Sequence, residues 1–151
     1  MKKNLAVITL LIGVVTGCAN VNLASSVDDK AAKQFYVPKG KSVIYTVQNG
    51  GYLPGWNTFQ VIVDGQSKGS LAAHTYHRIV VEPGAHTVIA SSPENEEGIK
   101  LNTEPGNVYF LSLTSYIGMS NMKVTLKSLS ESIGKEAVIS ATLAKGLIFS
   151  E

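Results

Sequence analysis

The chain has 151 residues, 44% hydrophobic and 16% charged; that balance excludes a disordered chain and allows one modest domain, not a barrel enzyme or a two-domain dinucleotide enzyme. Thirteen basic against eleven acidic side chains leave a formal +2, too little for the footprint of a nucleic-acid binder. A single cysteine excludes an internal disulfide framework and any multi-cysteine zinc or iron–sulfur centre.

Met1-Lys2-Lys3-Asn4 is a short positive start, and residues 5–15 carry no charge. As a helix that run is about 16 Å long, against about 30 Å of bilayer core, so it reads as the apolar part of a secretory signal peptide and not as a span. Val15-Thr16-Gly17-Cys18 resembles the lipobox of bacterial lipoproteins. The resemblance implies cleavage after Gly17, a thioether-linked diacylglycerol on Cys18 and acylation of the new amino terminus. A thiol is the soft nucleophile this chemistry needs, and more than one acyl chain anchors stably where a single one does not. Ala19, in place of Asp, implies the outer membrane by the sorting rule of Gram-negative bacteria, with the domain facing the periplasm or the cell surface. Cleavage removes Lys2 and Lys3 and leaves eleven basic and eleven acidic side chains, so no electrostatic partner is expected.

Residues 19–34 are polar and rich in small side chains, and read as a tether. Ser26, with Asp29 three residues on, predicts a cap for a short helix over 27–34 that spaces the domain or rests against it. From Pro38-Lys39-Gly40 onward, turn signals recur at Asn49-Gly50-Gly51, Pro54-Gly55, Asp64-Gly65, Gly69, Pro83-Gly84, Pro105-Gly106 and Gly118. Between them apolar residues alternate with period two, as in Val43/Tyr45/Val47, Phe59/Val61/Val63, Ile79/Val81, Tyr109/Leu111/Leu113 and Val124/Leu126. Short strands with frequent turns predict a mainly β protein, a small antiparallel β-sandwich or open barrel. Glu82-Pro83-Gly84 and Glu104-Pro105-Gly106 repeat at an offset of 22 residues. Ser130 or Ser132 predicts a cap for a short C-terminal helix over 135–144, with Ile133, Ala137, Ala141 and Ala144 on one face and Gly146 at its stop. Leu147-Ile148-Phe149 add a strand or tuck into the core. The expected organisation is a cleaved signal helix at 1–17, a lipid-anchored tether at 18–34 and a β-sandwich domain at 35–151.

Val61-Ile62-Val63-Asp64-Gly65 with Gly69, then Thr75-Tyr76, then Pro83-Gly84-Ala85-His86-Thr87 resemble the bacterial lipoprotein domain called domain of unknown function 2846. Phe35, Pro38-Lys39-Gly40-Lys41 and Ile44-Tyr45 fit the same family, so the resemblance covers roughly 33–129. The hairpin is also similar to that of PEGA-type surface domains. The resemblance implies a small β-sandwich lipoprotein and brings no catalytic residues with it. His77 stands where the family usually has an aliphatic residue, and Gln48 where a basic one is common.

Chemistry-bearing constellations are few. Gly65-Gln66-Ser67-Lys68-Gly69 matches the nucleophile-elbow spacing, which needs a following helix and a larger α/β sheet; a turn needing Gly reads more simply. His74, His77 and His86 are the only histidines, and a zinc site needs three converging ligands; three separate histidines are expected, with no metal and no cofactor. Glu94, Glu96 and Glu97 read as a solvated loop tip. Tyr52, Leu53 and Trp56 in one loop, with Tyr116 and Met119 in another, form the candidate binding loops at one end of a sandwich; rings so placed either mark recognition or cap the core. The expected function is that of a non-enzymatic binding or structural module of the envelope, held to the membrane by its lipid and engaging a protein or glycan partner. The alternative is a small periplasm-facing hydrolase or metal-dependent enzyme using the histidines.

Overall fold

The computed structural model describes residues 21–51 and 57–146. The signal segment, Cys18, the loop residues Tyr52, Leu53 and Trp56, and residues 147–151 lie outside the described residues. The elements run α1 (Ser26–Ala32), β1 (Ser42–Gly51), β2 (Phe59–Val63), β3 (Gln66–Leu71), β4 (Thr75–Val81), β5 (Gly84–Ser91), β6 (Glu96–Thr103), β7 (Val108–Ile117), β8 (Met122–Leu129), α2 (Glu131–Ile139) and β9 (Thr142–Leu143). One sheet has the order β8-β7-β1-β4-β9, the other β3-β2-β5-β6. Among the described residues no helix is long and apolar enough to cross a membrane.

The period-two runs become the core. Ile44, Phe59, Val61, Leu111, Leu113 and Val124 are buried between the sheets, because alternate side chains of a strand face the same way. Val43, Tyr45 and Val47 point to the opposite face of the first sheet, and that face is covered too: a second cluster joins them to Ala32, Tyr76, Phe110, Val138 and Ala141 under the two helices. Tyr45 stacks on Phe110 with centroids 5.4 Å apart, and Phe35 packs against both rings at 5.3 and 5.9 Å. The molecule is thus a two-sheet sandwich with a helical layer on one outer face.

Contrary to the expectation of an antiparallel sandwich, one of the two sheets is mixed. β1 and β7 pair in parallel, and so do β4 and β9. The cause lies in the two Glu-Pro-Gly segments. The first carries the chain from β4 into the other sheet and the second brings it back from β6, so β7 re-enters beside β1 in the same direction after the long crossover that parallel pairing demands. Gly84 pairs with Thr103, which puts both crossings at one end of the sandwich, here the corner end. Gly84 and Gly106 have φ of +138° and +82°, values a side chain would resist. Asp64 and Gly65, also at this end, both have positive φ, 52° and 78°, as a type I′ hairpin turn requires.

Other expectations shift locally. Asn49-Gly50-Gly51 is not a turn but the bulged end of β1, where the register slips between Gln48 and Gly51. Glu96 and Glu97 are not loop tip: they belong to the edge strand β6 and pair with Ser91 and Ala90, and charge on an exposed edge discourages unwanted pairing. α1 begins one residue earlier than predicted because Ser25, not Ser26, supplies the cap, its Oγ accepting the Asp28 N–H at 3.1 Å. α2 starts at Glu131 and stops at Ile139, not 135–144, and its buried residues are Gly134 and Val138 while Ile133 is exposed. Thr142 and Leu143 leave the helical path because β4 offers them a ladder.

The predicted tether rests on the domain from Val21 onward. Asp29 is its fastening: its carboxylate accepts from Lys33 Nζ (2.8 Å), Tyr76 Oη (3.0 Å) and the Leu143 N–H (2.8 Å). Burial opposes the charge, but these donors outweigh it and hold the Asp29 carboxyl below the usual carboxylate range. Tyr45 Oη donates to the Ala32 carbonyl at 2.6 Å. Residues 22–24 run antiparallel to 143–145, with Ala24 N–H on the Leu143 carbonyl and Lys145 N–H on that of Asn22.

Candidate functional site

The parallel pairing of β1 and β7 sets the end of β1 beside the β7–β8 connection. Gly51, the last described residue of β1, pairs with Ser115 at the end opposite the corners. Tyr52, Leu53 and Trp56 themselves lie outside the described residues. Of the other two candidates, Tyr116 is not in a loop but in β7, opposite Lys123, because the β7–β8 ladder runs on to Ile117; it is 38% exposed, Met119 in the turn is 97% exposed and caps no core, and Ile117 is 65% exposed.

This apolar tip is held from across the sandwich. Glu94, in the β5–β6 connection of the other sheet, accepts the backbone N–H groups of Met119 (2.8 Å), Asn121 (2.9 Å) and Ser120 (3.3 Å). The Met119 and Asn121 N–H groups hold its carboxyl below the ordinary glutamate value, helped by Ser120 and Lys123. Asn95 bridges the Val124 N–H and C=O, both at 2.9 Å. Gly118 N–H closes the turn on the Asn121 carbonyl at 2.8 Å. Loop residues fixed in this way present apolar area with little conformational freedom left to lose on binding. The sequence marked Glu94 only as a charged loop residue, because its partners stand 25 to 27 positions away and no local spacing encodes them.

Beside the tip, under α2, lies a cleft of about 350 Å³ lined by Gln48, Asn49, His74, Glu136 and Ser140 among others. His74 sits at the turn into β4 with φ +59°. Its ring packs on Gly50, where a Cβ would stand 3.4 Å from two ring atoms.

The three histidines are dispersed. His74 is at the loop end, His77 is buried between the sheets at 2% exposure, and His86 is at the corner end. Among the described residues no group of three or more His, Cys, Asp or Glu is placed to hold a metal ion. Ser67 lies within β3 and not before a helix; its Oγ accepts from Gln60 Nε2 at 3.0 Å.

His86 and Asp64 explain the spaced hairpin and Pro-Gly-x-His motifs. His86 Nδ1 meets Asp64 Oδ2 at 2.6 Å and Nε2 meets the Glu82 carbonyl at 2.6 Å; Asp64 Oδ1 accepts the Thr87 N–H at 2.8 Å. One side chain thereby clamps the hairpin turn to the first corner, which the Lys41–Glu82 ion pair also braces. Both partners of His86 are acceptors, so the arrangement favours the doubly protonated ring. Burial lowers its pKa, but Asp64 and the Glu82 carbonyl more than compensate and the net shift is upward. Burial likewise opposes the Asp64 charge, and His86 and the Thr87 N–H reverse this, holding Asp64 below its usual value. The His86 contribution is therefore fully present below the ordinary histidine value near 6.5 and is lost as pH rises through the raised folded value; the Asp64 contribution is present above about 4 and fades in acid. Urea denaturation of the wild type and His86→Ala should thus differ most between about pH 4 and 6.5, and the gap should narrow by pH 9. A pH-independent gap would show that the clamp is not ionic.

Comparison with known proteins adds the following. The family model described as a protein of unknown function (DUF2846) matches residues 38–126, from the start of the first sheet through most of β8. A curated protein of Haemophilus influenzae, described as an uncharacterized protein, is 26% identical over 138 residues, covering 89% of this chain and 82% of its own length.

Proposed function

The chain belongs to the DUF2846 family of proteins of unknown function, and from that premise we propose that it is a lipid-anchored module of the bacterial cell envelope that engages a protein or glycan partner through its loop end. The observation that carries this reading is Val15-Thr16-Gly17-Cys18 behind an uncharged run too short to span a bilayer. The anchor is the acylated Cys18 in the outer membrane, and the likeness of the Asp64-Gly65 hairpin to PEGA-type surface domains belongs to the same proposal.

The strand directions support it. Since β9 is parallel to β4 and residues 22–24 run antiparallel to residues 143–145, the chain traced back from Ala24 to Val21 heads toward the corner end. The loops with Ile117 and Met119 leave from the opposite end. An anchor reached from the corner side turns the exposed tip away from the membrane, where a partner can meet it, and large apolar side chains fixed on loops are common recognition elements.

A photo-crosslinking residue at position 119 of the full-length protein in intact cells tests the binding role. One discrete adduct is expected, lost in Ile117→Glu and Trp56→Ala, with none from position 27 on the exposed face of α1. Equal labelling from 119 and 27, or an adduct indifferent to both substitutions, refutes a specific loop-end partner.

A further inference from the structure

β4 has one edge that β1 does not use. β9 covers it only at Thr75 and Tyr76. The Thr142 N–H donates to the His74 carbonyl (3.0 Å) and the Ala144 N–H to the Tyr76 carbonyl (2.8 Å), so the main-chain groups of the even-numbered residues face away from β1. Arg78 and Val80 follow in the same alternation. Among the described residues they have no ladder partner on that side, since Lys145 turns its N–H to Asn22 instead. A groove of about 770 Å³ runs along this edge, lined by Leu23, Ala31, Lys68, His77, Ile79 and Lys145 among others.

Three features of the groove point to a ligand. His77 is 2% exposed and neither ring nitrogen has a hydrogen-bond partner among the described residues. Burial pushes its pKa down to about 4, so at neutral pH the ring is uncharged and offers one donor and one acceptor. The second feature is charge: among the described lining residues three cations, Lys68, Arg78 and Lys145, stand against one acid, Asp28; Arg78 donates to the Tyr36 carbonyl (2.7 Å) and Lys68 to Gln66 Oε1 (3.1 Å), neutral acceptors that leave the positive charge uncompensated. The third is the row of main-chain donors and acceptors at Arg78 and Val80, which is the template of β-strand addition.

We propose that the open edge of β4 is a binding site for an extended, carboxylate-bearing peptide, which adds to the sheet as a strand beside Arg78 and Val80. The main-chain bonds supply affinity. Side chains on one face of the added strand enter the cleft at His77, those on the other lie toward Tyr36 and Ala31, and a carboxylate meets Lys68, Lys145 or Arg78. The free stretch from 78 to 81 spans about 13 Å, room for a strand of about four residues. The site is independent of the loop end and of the lipid anchor.

The probe is a capped hexapeptide alternating Val and Glu, with its Val/Lys counterpart as control, titrated into the full chain. Saturation with the Val/Glu peptide is expected to slow amide exchange at Arg78 and Val80 about tenfold or more and to shift the His77 ring resonances, and the Val/Lys peptide to bind about tenfold more weakly. Val80→Pro removes the outward N–H while sparing the β1 ladder, as proline does on edge strands; it should weaken binding about tenfold, and Val80→Thr should not. The exchange measurement on the unaltered chain needs no variant to fold. Unchanged exchange at saturation, protection of both amides in the free protein (the mark of the chain's own terminus or a second copy on the edge), or full affinity in Val80→Pro overturns the proposal.

Discussion

Gly134→Ala is expected to lower stability by about 2 kcal/mol, opposite in sign to what helix propensity alone predicts. Gly134 lies inside α2, where alanine is ordinarily favoured by about 1 kcal/mol. A Cβ there, however, would stand 2.7 Å from Phe110 Cδ1 and nearer still to its Cβ and Cγ. Those atoms belong to the root of a side chain stacked on Tyr45 and packed against Phe35, so they have no room to retreat, and overpacking of this kind costs about 1–3 kcal/mol or more. Urea denaturation of Gly134→Ala reads the difference directly. Ile133→Ala and Ile139→Ala, on the exposed side of the same helix at 56% and 59% exposure, should stay within about 0.5 kcal/mol of wild type. Combining Gly134→Ala with Phe110→Leu should recover part of the loss, since the two residues touch and their effects are not additive. If Gly134→Ala is neutral or stabilising, α2 does not sit on Phe110 as described.

Cys18→Ala is expected to abolish labelling by radioactive palmitate and to leave an unprocessed precursor, an all-or-none effect. It removes the chain's sole thiol, and no other side chain can form the thioether. Each buried methylene contributes about 0.8 kcal/mol to membrane binding, so two or more acyl chains hold a protein firmly where one holds it reversibly. Deprived of them, the balanced charges of the mature chain give no electrostatic reason to stay on a membrane surface. Wild-type protein should remain in the outer-membrane fraction, and Ala19→Asp should redirect it to the inner membrane. Palmitate incorporated by Cys18→Ala would end the lipoprotein reading, whereas the β4-edge site would be untouched.

The strands were legible because alternation is a local property. Phe59/Val61/Val63 and Leu111/Leu113 announce a buried face without reference to any partner, and Asp64-Gly65 announces a tight turn because few other pairs tolerate positive φ at both positions. The helices were legible in kind but not in bounds. α2 ends at Ile139 because Thr142 and Leu143 are taken by β4, a competition that no window around residue 140 displays. The clasp that stiffens the β7–β8 tip was not legible: Glu94 and Asn95 act on residues of the other sheet. His77 was visible only as a departure from an aliphatic position, and the lack of a hydrogen-bond partner for its ring among the described residues emerges only with burial.

Sequence alone determined the mainly β character, the hairpin at Asp64-Gly65 and the turns at the two Glu-Pro-Gly segments, since each rests on short-range sterics or on the chemistry of adjacent residues. The tertiary structure decided the mixed sheet, the burial of β1 on both faces, the His86–Asp64 clamp and the β4 edge that no described residue pairs beyond Tyr76. These depend on which strands meet across the crossovers, and that choice is made by the complementary burial of faces distant in the chain, Tyr45 against Phe110 on one side of the sheet and Ile44 among the inter-sheet residues on the other.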